Sequence, residues 1–72
     1  MHLLIFETNI KSEEKVKSIQ STFSKHNDIL KWSIDLEDVD NVLKIEATDN
    51  ITETDIINIV KTHGFYIEAL AD

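Results

Sequence analysis

The chain is predicted to be an α+β domain of element order β-α-β-β-α-β, with four strands in one antiparallel sheet and two helices on one of its faces. Three observations predict it. Apolar residues alternate with period two in separate short segments, and they recur with helical spacing in two longer ones. The places where the period changes coincide with helix-start residues, Ser12 and Thr52, and with the one glycine, Gly64.

The first strand is expected over residues 2–8. Leu3 and Ile5 lie on one parity and Leu4 and Phe6 on the other, and a strand apolar on both faces belongs in the middle of its sheet. Ser12 is placed to cap a helix over 13–26, with Glu13 and Glu14 against its positive terminus and Val16, Ile19 and Phe23 on its inner face. Residues 29–36 alternate, with Leu30, Trp32, Ile34 and Leu36 opposed to Lys31, Ser33 and Asp35, which predicts a strand with one buried face. Glu37-Asp38-Val39-Asp40-Asn41 is a polar turn of hairpin length. Residues 42–48 alternate again, with Leu43, Ile45 and Ala47 inside. Thr52 followed by Asp55 is a short-armed capping box for a helix over 53–63, carrying Ile56, Ile59, Val60 and His63. Gly64 suits the left-handed residue that ends it, and 65–70 forms the last strand. This order is the split βαβ, or ferredoxin-like, motif. Right-handed crossovers put both helices on one side of the sheet and the first and third strands inside it.

At 72 residues the chain is expected to form a single domain over 1–72, near the size at which packing alone sustains a fold. It has 14 acidic residues against 7 lysines and no arginine, a net charge of −7 and a pI near 4.7. A nucleic-acid partner needs phosphates neutralised, so DNA and RNA are not expected partners, and neither is an anionic membrane. The apolar run Leu3-Leu4-Ile5-Phe6 is too short for a signal sequence or a span, and a cytoplasmic location is expected. The sequon Asn50-Ile51-Thr52 is then a chance match.

Catalysis finds no foothold. One glycine cannot make a phosphate-cradling loop, no serine carries a nucleophile signature, and without arginine an acyl-phosphate site lacks its anion clamp. The chain is therefore not expected to be an enzyme, and no cofactor is expected. Without cysteine there is no disulfide, thiolate zinc site or iron–sulfur cluster. The stretch Asp35 to Glu46 has an acidic residue at its twelfth position, as an EF-hand does. Asp40 nevertheless occupies the glycine position, Val39 a ligand position, and strands flank it, so it is a solvated hairpin tip. Trp32 and Tyr66 lack the basic surround of a base-stacking platform, and Trp32 is assigned to the core. Among the histidines, His2 and His26 fall at one end of the predicted topology and His63 at the other. His2 with His26 and Asp49 is one candidate metal set; the alternative is that His26 and His63 are helix C-terminal residues favoured by the dipole.

The pattern resembles the heavy-metal-associated domain of small copper chaperones and of the N-terminal modules of metal-transporting P-type ATPases. The resemblance runs nearly the whole chain. Trp32-Ser33-Ile34-Asp35-Leu36 is similar to that family's second strand with its Val-Asp-Leu pattern, and His63-Gly64-Phe65 to its turn before the last strand. The family carries Cys-x-x-Cys where the first strand's loop meets the first helix; in this chain the matching stretch is Thr8 to Val16, with Ser12 at the first cysteine position and Lys15 at the second. A hydroxyl is a poor ligand for the soft Cu(I) ion, and Lys15 brings a cation to the place of a cation.

The resemblance thus implies a metal-free relative of the family, with Ser12 and Lys15 as vestigial positions and with no confident metal ligand. Such a chain is expected to serve as a protein-interaction or regulatory module linked to metal handling. Another protein would meet it through an edge strand or through the sheet face away from the helices, and a homodimer is a further option. The alternative is a metal-binding protein using histidine and carboxylate ligands for zinc, nickel or Cu(II).

Overall fold

The computed structural model describes residues 2–70. One antiparallel sheet runs β2-β3-β1-β4, from β1 (His2–Thr8), β2 (Ile29–Ile34), β3 (Leu43–Ala47) and β4 (Ile67–Ala69). Between the strands lie α1 (Glu13–Lys25) and α2 (Glu53–Thr62). The order and the inner placement of β1 and β3 are those predicted; β1 spans its expected residues, and the other five elements are shorter than expected at one or both ends. β2 stops at Ile34 because the next residues turn, with Glu37 N–H donating to Asp35 Oδ1 at 3.0 Å.

One parity of each strand supplies the core. Leu4 and Phe6 of β1, Leu43, Ile45 and Ala47 of β3, Ile29 of β2 and Ile67 of β4 are buried against Ile19 and Phe23 of α1 and Ile56 and Val60 of α2. Trp32 is half-buried and packs edge-on to Phe23, with ring centroids 5.1 Å apart. The other parity forms an open face: Leu3, Ile5 and Glu7 of β1, Lys44 and Glu46 of β3, Lys31 and Ser33 of β2 and Glu68 of β4.

The strict alternation expected of β2 is broken at Leu30. Ile29 faces Ala47 and Lys31 faces Glu46, so Leu30 is an extra residue, a β-bulge. The bulge moves Ile29 into the core and leaves Leu30, expected inside, 55% exposed. Leu36, expected on the same buried face, lies beyond the strand in the turn.

Both helix starts are built as their sequences require. Ser12 Oγ accepts from Lys15 N–H at 3.2 Å. Thr52 and Asp55 form the reciprocal capping box, and Ile51 before the cap is buried with Ile56 one turn inside, a hydrophobic staple. His26 and His63 are the C-caps, and Gly64 follows at φ +86°, a conformation that costs glycine little.

Candidate functional site

Three connections meet at the end of the sheet where β1 stops and α1 begins. Thr8 N–H donates to Asp40 O at 3.0 Å, which draws the β2–β3 turn against β1. The Thr8 hydroxyl donates to Asn41 O at 2.7 Å and accepts from Ile10 N–H at 3.2 Å. Asn41 is buried and left-handed at φ +43°, which asparagine tolerates better than most residues. From the α2–β4 connection, Tyr66 N–H donates to Asn9 Oδ1 at 2.9 Å. The loop leading into α1 is therefore pinned on both sides, and Ile10 fills the space beneath it with no exposure.

Ser12 and Lys15 stand at the mouth of this loop. Ser12 is extended (φ −141°, ψ 157°) and its hydroxyl oxygen is committed to the helix cap, while its carbonyl accepts from Val16 N–H at 3.0 Å. Lys15 is exposed in the first helical turn, beside Glu13 and Glu14. Residues 12 and 15 are thus the cap and the third residue of the first turn at a helix N-terminus, where unpaired N–H groups and the dipole favour anionic ligands and oppose a bare cation.

On the open face at the same end, Glu7 sits opposite Glu68 across the β1–β4 ladder. Partial desolvation, then the charges of Asp40 and Glu68, hold the Glu7 carboxyl above its ordinary range. Tyr66 donates its hydroxyl to Glu68 Oε2, and this bond is the main reason its pKa is pushed up to about 12. The Glu7–Glu68 juxtaposition escapes sequence inspection. The open parity of Glu7 is legible from Phe6 and Thr8, but its opposition to Glu68 needs the register of β4.

The histidines are used locally. His2 Nε2 donates to Ile51 O at 3.0 Å. His26 Nδ1 accepts from Asp28 N–H at 3.2 Å. His63 engages both nitrogens: Nδ1 donates to Ile59 O at 2.9 Å, which leaves Nε2 to accept from the Thr22 hydroxyl at 3.1 Å. His2 lies opposite Ala47, the neighbour of Ile29, so His2, His26 and the Asp49 turn do share the far end of the sheet. Among the described residues no three His, Cys, Asp or Glu side chains are grouped so as to hold one metal ion. No helix among them is long and apolar enough to cross a membrane.

No family model and no curated protein matches the chain. Solved structures do. The Atx1–Cu(I)–Ccc2a complex in solution matches with a TM-score of 0.86 at 20% identity, over 100% of this chain and 99% of that one. The yeast copper transporter domain Ccc2a, solved in apo and Cu(I)-loaded states, matches at 0.83 and 20% identity, over 100% and 99%. A copper-binding domain of HMA7, a P-type ATPase, matches at 0.83 and 22% identity, over 99% and 96%. The chain therefore has the ferredoxin-like βαββαβ fold of these copper-handling domains, end to end.

Proposed function

We propose that this chain, read as a single non-catalytic domain over residues 1–72, is a relative of the heavy-metal-associated domains that has lost their thiolate site. It acts as a protein-interaction or regulatory module linked to metal handling. One observation carries the proposal: the fold of copper-handling domains extends over the whole chain, while the α1 entry loop presents Ser12, whose hydroxyl is spent on the helix cap, and exposed Lys15. These are the vestigial positions of the Cys-x-x-Cys pair. Two thiolates supply soft donors and two negative charges; a hydroxyl and an ammonium supply neither.

A similar structure holds two proteins and Cu(I) together, which supports reading this domain as a partner of other proteins. The surfaces offered are the open face, where Leu3 is 54% exposed beside half-buried Ile5, and the free edges of the sheet. A histidine and carboxylate site for zinc, nickel or Cu(II) has less support, because His2 Nε2 and His26 Nδ1 already have hydrogen-bond partners and no three such side chains are grouped among the described residues.

Competition with a Cu(I) chelator in reducing buffer tests the proposal. The purified domain is expected to retain no stoichiometric copper at submicromolar free metal. Tight retention would overturn it and return attention to His2, His26 and Asp49.

A further inference from the structure

β2 is an edge strand, and its free edge is chemically symmetric about Ser33. Asp35 N–H donates to Val42 O at 2.9 Å, and Ser33 and Lys31 follow in register opposite Lys44 and Glu46. In an antiparallel ladder the bonded pairs alternate. Residues 31, 33 and 35 therefore turn their backbone groups toward β3, and Trp32 and Ile34 turn their N–H and C=O groups outward. Around Ser33 the strand reads Lys31, Trp32, Ser33, Ile34, Asp35: a cation and an anion at equal distances, with a large apolar residue inside each.

We infer that this edge pairs with the same edge of a second copy of the chain, antiparallel and centred on Ser33, so that two four-stranded sheets become one. The two-fold axis runs between the two Ser33 residues, normal to the sheet. Lys31 then lies opposite Asp35 of the second copy, and the mirror pair forms on the other side of the axis. Trp32 lies opposite Ile34 of the second copy and exchanges with it the backbone hydrogen bonds that both now point into water.

Three features select a second copy as the occupant. The charges of the strand are self-complementary in the one register that also matches the outward backbone groups. A shift by two residues in one direction sets Lys31 against Ser33, and in the other it sets Asp35 against Ser33 and leaves Lys31 facing only Glu37, in the turn beyond the strand, so neither Lys31–Asp35 pair survives. Trp32 and Ile34 are half-buried, and a strand laid along the edge covers the flank each leaves open. The Asp35 carboxylate is also held in place beside the edge through its Oδ1 bond to Glu37 N–H. Lysine on an edge strand ordinarily deters pairing. Here it meets a carboxylate of the second copy, while Glu46 stands on its other side. The bulge at Leu30 breaks the regular register of β2, so the matched edge is short, and two chains of net charge −7 repel. The dimer is accordingly a weak one, with low buried area. It goes beyond the metal-site proposal and requires no metal.

Because the chain has no cysteine, single-cysteine variants report the register cleanly. Directly opposed residues in a pair that exchanges no hydrogen bonds have Cα atoms about 4.5 Å apart, within disulfide reach. Ser33→Cys at millimolar concentration, with chelator and a mild oxidant, is expected to form a covalent dimer at least about tenfold faster than Ser24→Cys, an exposed α1 control. Adding Lys31→Asp should cut that rate about tenfold, and adding Asp35→Lys to this pair should restore it, since the exchanged charges face each other again. In the unmodified chain, the Trp32 and Ile34 amides should gain protection from hydrogen exchange as concentration rises. Equal cross-linking at positions 33 and 24, no rescue by the charge exchange, or monomer mass at millimolar concentration would each overturn the inference. Both arms run without copper, so neither depends on the outcome of the Cu(I) competition.

Discussion

Thr8→Val tests the lock that shapes the entry to α1. The substitution keeps the β-branched volume, so it opens no cavity and slightly favours a strand. It removes one hydroxyl that serves two buried backbone groups, the Asn41 carbonyl at 2.7 Å and the Ile10 N–H at 3.2 Å, at a residue only 5% exposed. Each buried group left without a partner costs about 1–3 kcal/mol, so the pair costs about 2–6 kcal/mol. Domains of this length have total stabilities of about 4–11 kcal/mol, so a large share is at stake. In urea unfolding, with a slope of about 1 kcal/mol per molar, the midpoint should fall by about 2 M or more. Thr8→Ser keeps the hydroxyl and loses a methyl group, a cost of about 1 kcal/mol. The expected ranking is threonine, serine, valine, whereas burial of apolar area alone would put valine first and serine last. A valine variant within about 0.5 kcal/mol of the parent, at unchanged slope, would refute the two-bond account of this position.

Three further outcomes follow from the same structure. Glu7 has a raised pKa in the folded state, so its contribution is fully present below the unfolded value and is lost as pH rises through the folded one. Glu7→Gln should therefore raise the melting temperature at pH 7 and have little effect at pH 3, as read by thermal unfolding at both pH values. The single tyrosine, Tyr66, should ionise near pH 12 in an ultraviolet titration, with stability falling between its unfolded value of 10 and that point, and Glu68→Gln should move the midpoint back toward 10. Gly64→Ala meets no atom within 4 Å, so its cost is the left-handed backbone alone, about 1–2 kcal/mol in chemical denaturation.

The elements and their order were legible because most of the chain obeys its period. Val16, Ile19 and Phe23 mark one helix face, and Ser12, Thr52 and Gly64 mark boundaries through local hydrogen bonds that need no knowledge of the fold. β2 departs from this at Leu30, since a bulge is a property of two paired strands and leaves the alternation of either one unmarked. Ile10 and Ile51 are core residues in loops, outside any periodic segment. Ile51 could have been found as the residue before a capping box, and Ile10 has no such cue. At the candidate site, the placement of Ser12 and Lys15 at the start of α1 was legible from the cap. The Thr8–Asn41 bond and the Glu7–Glu68 opposition were not, because each joins residues distant in sequence through a register that only the assembled sheet defines.

The most direct test of the central claim is Cu(I) titration of the Ser12→Cys, Lys15→Cys variant beside the parent. The backbone N–H of Lys15 donates to Ser12 Oγ at 3.2 Å, so positions 12 and 15 are the cap and the third residue of one helical turn, and the two new sulfurs are expected to reach one ion. The helix N-terminus lowers thiol pKa values and so favours the ligand form. Removing Lys15 also deletes a cation from the ion's position, so the double variant should bind more tightly than Ser12→Cys alone. The cost is the serine cap, about 1 kcal/mol, which leaves the fold intact. One Cu(I) is expected to be held by the double variant against a chelator that strips the parent. A folded double variant that binds no more copper than the parent would contradict the assignment of Ser12 and Lys15 as the lost ligand positions.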